Sequence, residues 1–213
     1  MAYAFLDQLT SDSVRAAQAA NGSRRLWETG GADRPFTRFT GAEAQFIAAR
    51  DSLYMASASE TGWPYVQHRG GPPGFIKVLD ETRLAFADFR GNRQYISLGN
   101  VAADDRVSLI LMDYPNRARL KILAHLTVHD LAAEPELARQ LALPGYRATP
   151  ERAFVLGLEA FDWNCPQHIT PRFSEPEIEA AIRPLRQRLA ELEAENARLH
   201  QMLNAPSSQG TEQ

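Results

Sequence analysis

VQHRGGPPGFIKVLDETRLAFADFRGNRQ, Val66 to Gln94, is the stretch from which the rest of the chain can be read. Phe75–Leu79 and Arg83–Phe89 carry apolar alternation, and Asp80-Glu81-Thr82 lies between them, so they read as two strands joined by a turn. Gly70-Gly71-Pro72-Pro73-Gly74 precedes the first strand, and Arg90-Gly91-Asn92-Arg93-Gln94 follows the second. Arg69, Lys77, Arg90 and Arg93 stand around these two glycine-rich turns. Cations gathered on exposed backbone amides suit a flat, phosphorylated ligand held on a sheet.

Strand signals continue on both sides. Upstream, Ser52–Ser59 alternates with period two, Glu60-Thr61-Gly62 turns, and Trp63–His68 answers as the second arm of a hairpin. Downstream, Arg93–Leu98 reads as helical, closed near Gly99-Asn100. Arg106–Asp113 is nearly all apolar and reads as a central strand, followed by a turn at Tyr114-Pro115-Asn116 and a long strand over Arg117–Asp130. Glu134–Leu141 reads as a short helix and Arg152–Phe161 as a last strand. About seven strands joined mostly by tight turns leave few connections long enough for crossovers. The expected class is therefore mainly β, an antiparallel barrel with small helices. Near the N-terminus, Ser11 to Ala20 reads as an amphipathic helix stopped at Asn21-Gly22. Thr40 with Glu43 forms a capping box. The helix it opens should end near Arg50, bury Phe46 and Ile47, and plug one barrel end. The barrel domain is assigned to residues 1–173.

Residues 174–204 form a separate C-terminal helix. Ser174 with Glu177 is a second capping box, and Pro176 lies in the first turn, where proline is tolerated. Ile182, Leu189, Asn196 and Leu203 fall at heptad position a; Leu185, Leu192 and Leu199 fall at d. Two readings stay open: a two-stranded coiled coil between copies, with Asn196 setting register and Arg188 facing the partner's Glu193, or an amphipathic helix lying on its own barrel. Pro184 is expected to kink the helix or start a new one. The polar segment 205–213 is expected to be disordered.

Composition excludes several classes. The net charge of −3 does not suit a nucleic-acid surface, and no basic block precedes the heptads as a DNA-reading zipper would need. No apolar run approaches the roughly 18 residues of a membrane span. The N-terminus has no basic region leading into an apolar core, so it does not read as a secretory signal. The one cysteine, Cys165, excludes an internal disulfide and fits a reducing cytoplasm.

A flavin mononucleotide asks three things of a protein: cations and amides for its phosphate, a flat apolar slot for its ring, and a positive group near the N1–C2 carbonyl edge. Lys77 lies between Ile76 and Val78 and points to the opposite face from both. Arg90 to Gln94 is a glycine–asparagine turn before a helix, an anion nest at a helix N-terminus. On these residues alone, Lys77 is equally a strand lysine on a solvated face, and the arginines are equally surface charge. His125 and His129 share a strand face with no carboxylate at suitable spacing and read as ordinary barrel residues.

From about Ala42 to Asp130 the chain resembles the pyridoxamine 5'-phosphate oxidase-like, FMN-binding split-barrel family. Arg69 leads through GGPPGFIK to Lys77. Ala87-Asp88 stands where the family has its strand-end pair, and Asn92-Arg93-Gln94 where it has a Ser-Arg-Lys turn. The resemblance implies that Arg69, Arg93 and Asn92 hold the phosphate and Lys77 lies by the flavin ring. Ile76, Ala87, Asp88 and Gln94 complete the cofactor contacts, with Arg119 as a polar contact on the long strand. The loop after Arg69 is longer than in the family, Gln94 replaces the lysine, and the vitamin B6 oxidase's full C-terminal signature is missing. The chain is therefore more similar to the FMN-dependent relatives that carry a GNRQ-like turn and a CPQHI-like segment, here WNCPQHITPR at residues 163–172. In that segment Cys165 and His168 have three open readings: metal ligands, a nucleophilic pair, or neighbours of a loop closing over the flavin. The last is preferred, with Trp163, Cys165 and His168 on the substrate side, no metal and no assigned catalytic residue. The implied protein is a cytoplasmic FMN-dependent oxidoreductase acting on a small substrate, a homodimer with FMN at the subunit interface, able to reach a higher oligomer through the heptad helix. The alternative is a non-catalytic flavin- or haem-binding sensor or store.

Overall fold

The structure is a computed structural model, and it describes residues 4–29, 36–163 and 166–204. The chain divides into two compact units, Met1–Thr170 and Pro171–Gln213. The polar segment 205–213 and Cys165 lie outside the described residues.

The first unit is one seven-stranded antiparallel sheet. Its strands are β1 (Ser52–Ala58), β2 (Pro64–Gly70), β3 (Lys77–Asp80), β4 (Arg83–Phe89), β5 (Arg106–Asp113), β6 (Ala118–His129) and β7 (Pro150–Trp163). They lie in the order β2-β1-β5-β6-β7-β4-β3. The two edges of the sheet, β2 and β3, are consecutive in sequence and joined by a short loop. Within it, Gly71 N–H donates to Asp51 C=O at 2.9 Å, and Phe75 N–H turns back to Pro72 C=O at 3.0 Å. So short a link forces the sheet to curl until its edges approach; because β3 pairs only as far as Ala85, the split lies between β2 and the end of β4. Two glycines of the loop are required. A Cβ on Gly71 would stand 2.7 Å from that of Phe75, and Gly74 has a φ of +84°.

The inner face of the curled sheet makes the core. Leu53, Met55, Leu84, Phe86, Leu109, Leu111, Leu120, Ile122, Phe154, Leu156 and Phe161 are all nearly inaccessible to solvent. Phe161 stacks on Phe39 with ring centroids 5.7 Å apart and meets Phe36 edge-on at 5.3 Å. A smaller apolar cluster on the outer face, Ala85, Ala87, Ala153 and Val155, is covered by Leu137 and Leu141 of a short helix, Pro135–Leu141. The capping box at Thr40 is present, and its helix spans Gly41–Ala48 with Ile47 fully buried and Phe46 packed against the core. Glu43 of that box is itself buried and accepts from Trp163 Nε1 at 2.7 Å, so one carboxylate caps the helix and ties it to the end of β7.

Element types follow the sequence reading, with shifted boundaries. The third strand begins at Lys77, not Phe75, because Phe75 and Ile76 turn into the core before any β3 pairing begins. The helix expected over Arg93–Leu98 instead spans Ile96–Ala103, since Arg93 (φ 61°) and Tyr95 (φ 53°) are in the left-handed region. Two short helices, Ala4–Leu9 and Arg24–Thr29, flank the expected Asp12–Ala20 helix. Among the described residues no helix is long and apolar enough to cross a membrane.

The second unit is a single helix over Glu175–Asn204. Ser174 N–H and hydroxyl both donate to Glu177 Oε2 at 2.7 Å, which is the carboxylate half of the expected capping box. No new helix begins at Pro184; the helix runs through it, because a proline removes one intrahelical bond while those around it persist.

Phe161→Ala should lower the unfolding free energy by about 3–5 kcal/mol, the usual cost of emptying an aromatic site in a close-packed core. Urea denaturation followed by far-ultraviolet circular dichroism measures it, and a change under about 1 kcal/mol would mean that the contacts of Phe161 with Phe36 and Phe39 are not central to the core.

Candidate functional site

The split between β2 and β4 is closed by charge. Tyr65, Gln67 and Arg69 alternate along β2 and point inward, since their cross-strand partners are the buried Ser57, Met55 and Leu53. Asp88, near the end of β4, points inward as well and is buried. Arg69 Nη1 forms an ion pair with Asp88 Oδ1 across the split. Arg152 Nη1 of β7 grips the other oxygen, Oδ2, at 2.6 Å. The guanidinium of Arg69 also lies over the Phe154 ring, 5.1 Å from its centroid. Burial works against the charge on Arg152, but Asp88 and Tyr95 outweigh it and hold its pKa up.

A bulge enlarges this cluster. The β4–β7 register shifts between Asp88 and Phe89, leaving Glu151 as the extra residue on β7. Adjacent strand residues normally face opposite ways; here Glu151 and Arg152 reach the same site and touch at 3.2 Å. Glu151 also pairs with Arg90 at 3.3 Å and accepts from the Tyr95 hydroxyl at 3.2 Å.

Above the split runs the turn Gly91 to Tyr95. Asn92 Oδ1 accepts from the Gln94 N–H at 3.1 Å, an Asx-type turn. Arg93 and Tyr95 both hold positive φ, each at a cost of about 1–3 kcal/mol, which surrounding structure must enforce. The helix that follows has no side-chain cap at its N-terminus. Its first-turn amides therefore keep their donor capacity and the positive end of the helix dipole. Two polar contacts hold the helix over the barrel: Ser97 Oγ to Gln67 Oε1 at 3.1 Å, and Asn100 Nδ2 to Ser57 Oγ at 3.0 Å.

These parts line one small pocket of about 40 Å³, walled by Arg69, Asp88, Asn92, Arg93, Gln94 and Glu151 among others. The fold thus brings together five of the expected cofactor contacts: Arg69, Asp88, Asn92, Arg93 and Gln94. The rest lie elsewhere. Ile76 is a core residue, and Ala87 is in the outer cluster under the Pro135–Leu141 helix. Lys77 opens the edge strand β3 opposite Ala85, so it faces outward. Arg119 stands on the outer face of β6 with its Nε buried and unbonded; Arg69 Nε is in the same condition. Trp163 is held by Glu43 and packs edge-on against Phe46 at 4.8 Å, while His168 is exposed with a φ of 62°.

Sequence reasoning missed Glu151, Arg152 and Tyr95 as members of the cluster. Tyr65 and Gln67 carried a usable signal, since they alternate with Arg69 on one strand face. The two histidines do have carboxylate partners. His125 Nδ1 meets Asp105 at 2.8 Å and His129 Nδ1 meets Glu134 at 2.6 Å, both supplied by segments next to the strand ends. Among the described residues no group of three or more His, Cys, Asp or Glu side chains is placed to hold a metal ion.

Asp88→Ala would leave two half-buried guanidinium groups facing each other without their shared buried anion. Loss of one partner from a buried pair costs about 3–5 kcal/mol, so a clear drop in unfolding free energy is expected from chemical denaturation. Stability equal to the parent would show that the clasp carries no net energy.

Residues 39–155, more than half of the chain, match the family model described as pyridoxamine 5'-phosphate oxidase. No curated protein matches. Similar solved structures include an FMN-binding protein from Syntrophomonas wolfei, 12% identical over 72% of this chain and 96% of that one, with a TM-score of 0.44. Another is a Clostridium acetobutylicum protein related to general stress protein 26 of B. subtilis, from the pyridoxinephosphate oxidase family, 13% identical over 64% of this chain and 94% of that one, TM-score 0.42. A third is an FAD-binding protein from Mesorhizobium loti, 16% identical over 59% of this chain and 94% of that one, TM-score 0.43. With its family match extending across the strands that build the split and the turn above it, the chain belongs to the pyridoxamine 5'-phosphate oxidase-like family of FMN-binding split-barrel proteins.

Proposed function

We propose that this protein binds FMN and acts as an FMN-dependent oxidoreductase on a small substrate. The observation that carries the proposal is the uncapped helix N-terminus at Tyr95–Ile96, opening on a pocket lined by Arg69 and Arg93. A phosphate near its dianion state asks for that combination of backbone amides and guanidinium. Arg93 is exposed and supplies charge from the turn, while Asn92 and Gln94 supply amide donors. Arg69 is drawn partly away by Asp88, but its buried Nε remains an unbonded donor. Four arginines against two carboxylates, counting Arg69, Arg90, Arg93 and Arg152 with Asp88 and Glu151, leave the cluster net positive and receptive to an anion.

The edge strand β3 starts only at Lys77, opposite Ala85, so the end of β4 beyond Ala85 has no strand on that side. A ligand anchored at the turn can pass around this open edge toward Lys77, whose ammonium is the proposed ring-side charge. When bound, FMN would supply the redox chemistry; this chain would anchor the phosphate and set the ring beside a positive charge.

A pocket of about 40 Å³ is far below the roughly 300 Å³ or more that encloses a ligand of this size. The proposal therefore includes a second subunit that completes the walls. The outer face of β1 and β2 suits that role, because Tyr54 and Val66 are exposed there beside Trp63. The cofactor would then lie at the interface of a homodimer.

The purified protein should be yellow and show a flavin absorbance band that bleaches under anaerobic NADPH or another small reductant. A colourless protein that takes up no added FMN would end this reading; a bound flavin that no reductant bleaches would end its oxidoreductase half. Arg93→Ala should weaken FMN binding at least tenfold, about 1.4 kcal/mol, in a fluorescence titration. Unchanged affinity would remove Arg93 from the phosphate site.

A further inference from the structure

We infer that the helix Glu175–Asn204 pairs with the same helix of a second copy as a parallel, in-register, two-stranded coiled coil. This does not depend on the flavin reading. None of the residues of this helix is buried. Leu185, Leu189, Leu192, Leu199 and Leu203 are 44–81% exposed, and all stand at a or d of one unbroken heptad frame. Helical stability in water comes mainly from packing an apolar face, so a seam of leucines this long calls for a partner. Pro184 falls at position c of the same frame, away from the seam, and the helix passes through it.

The occupant and its direction follow from two polar positions. Asn196 is at a. In a parallel pair each a residue meets its own copy, so the two amides bond to each other. In an antiparallel pair a packs against d, and Asn196 would lie against a leucine with its amide buried and unbonded. Arg188 is at g, five residues before Glu193 at e, the spacing at which g and e of two parallel chains meet. The contact of Arg188 with Glu191 of its own helix, at 3.1 Å, is exposed, so it is worth little and is readily exchanged. Both features are self-complementary, which selects a second copy over an unrelated helix. A single a-position asparagine also favours two strands over three or four.

Cysteine cross-linking of the full-length chain tests this in a Cys165→Ser background under mild oxidation. Asn196→Cys at a and Leu192→Cys at d should each convert almost completely to a disulfide-linked dimer on a non-reducing gel. Arg198→Cys, at the outward position c, should stay mostly unlinked. An antiparallel pair has one crossing point and cannot link both 192 and 196, so cross-linking at only one of them overturns the proposal. So does cross-linking at neither, as for a helix without a partner copy, or equal cross-linking at all three. A three-stranded bundle leaves one chain in three unlinked and overturns the two-stranded assignment.

Discussion

The barrel depends on one carboxylate held by two arginines. Asp88 on β4 bonds Arg69 on β2 and Arg152 on β7. Arg152 sits on the neighbouring strand, but β2 and β4 are five places apart in the sheet order, and nothing in the strand ladder joins them. The pair between Arg69 and Asp88 therefore bridges the split directly, alongside the short β2–β3 link that curls the sheet. Around it the cost of burying charge is offset twice, by the shared anion and by the face of Phe154.

That clasp also shapes the site. A buried carboxylate beside Arg69 offsets part of its positive charge, while the turn above keeps the exposed charge of Arg93. Tyr95 links the two levels: its backbone opens the helix, its hydroxyl bonds Glu151, and its ring faces the Arg152 guanidinium at 5.1 Å. The strained backbone at Arg93 and Tyr95 thus rests on contacts with the barrel below.

Much of this is legible in the sequence. Period-two alternation marked the strands, and the capping boxes at Thr40 and Ser174 marked two helix starts, because such signals involve residues within four of one another. The resemblance of the Arg69–Gln94 stretch pointed to the turn at Asn92-Arg93-Gln94, which lines the pocket. It pointed equally to Ile76, Ala87 and Arg119, which the fold sends to the core, the outer cluster and the far face of β6. Spacing in a motif says which strand a residue is on; the pleat and the curl of the sheet decide what it meets.

The sequence by itself determined the element types, the antiparallel pairing of neighbours, the glycine–asparagine turn before a helix, and the heptad frame. Each rests on local sterics and hydrogen bonding that nearby residues specify. Tertiary structure alone decided that Asp88 would be shared by Arg69 and Arg152, that Glu151 would join its neighbour on one face, and that His125 and His129 would find Asp105 and Glu134. These contacts depend on strand order, a register shift and loop paths, which are set by how the whole sheet buries its apolar face. Asp88 lies 19 and 64 residues from Arg69 and Arg152, and His125 lies 20 from Asp105, so no short window pairs them. Glu134 and Glu151 are near their partners in sequence, but the path of the loop and the bulge decide that they meet.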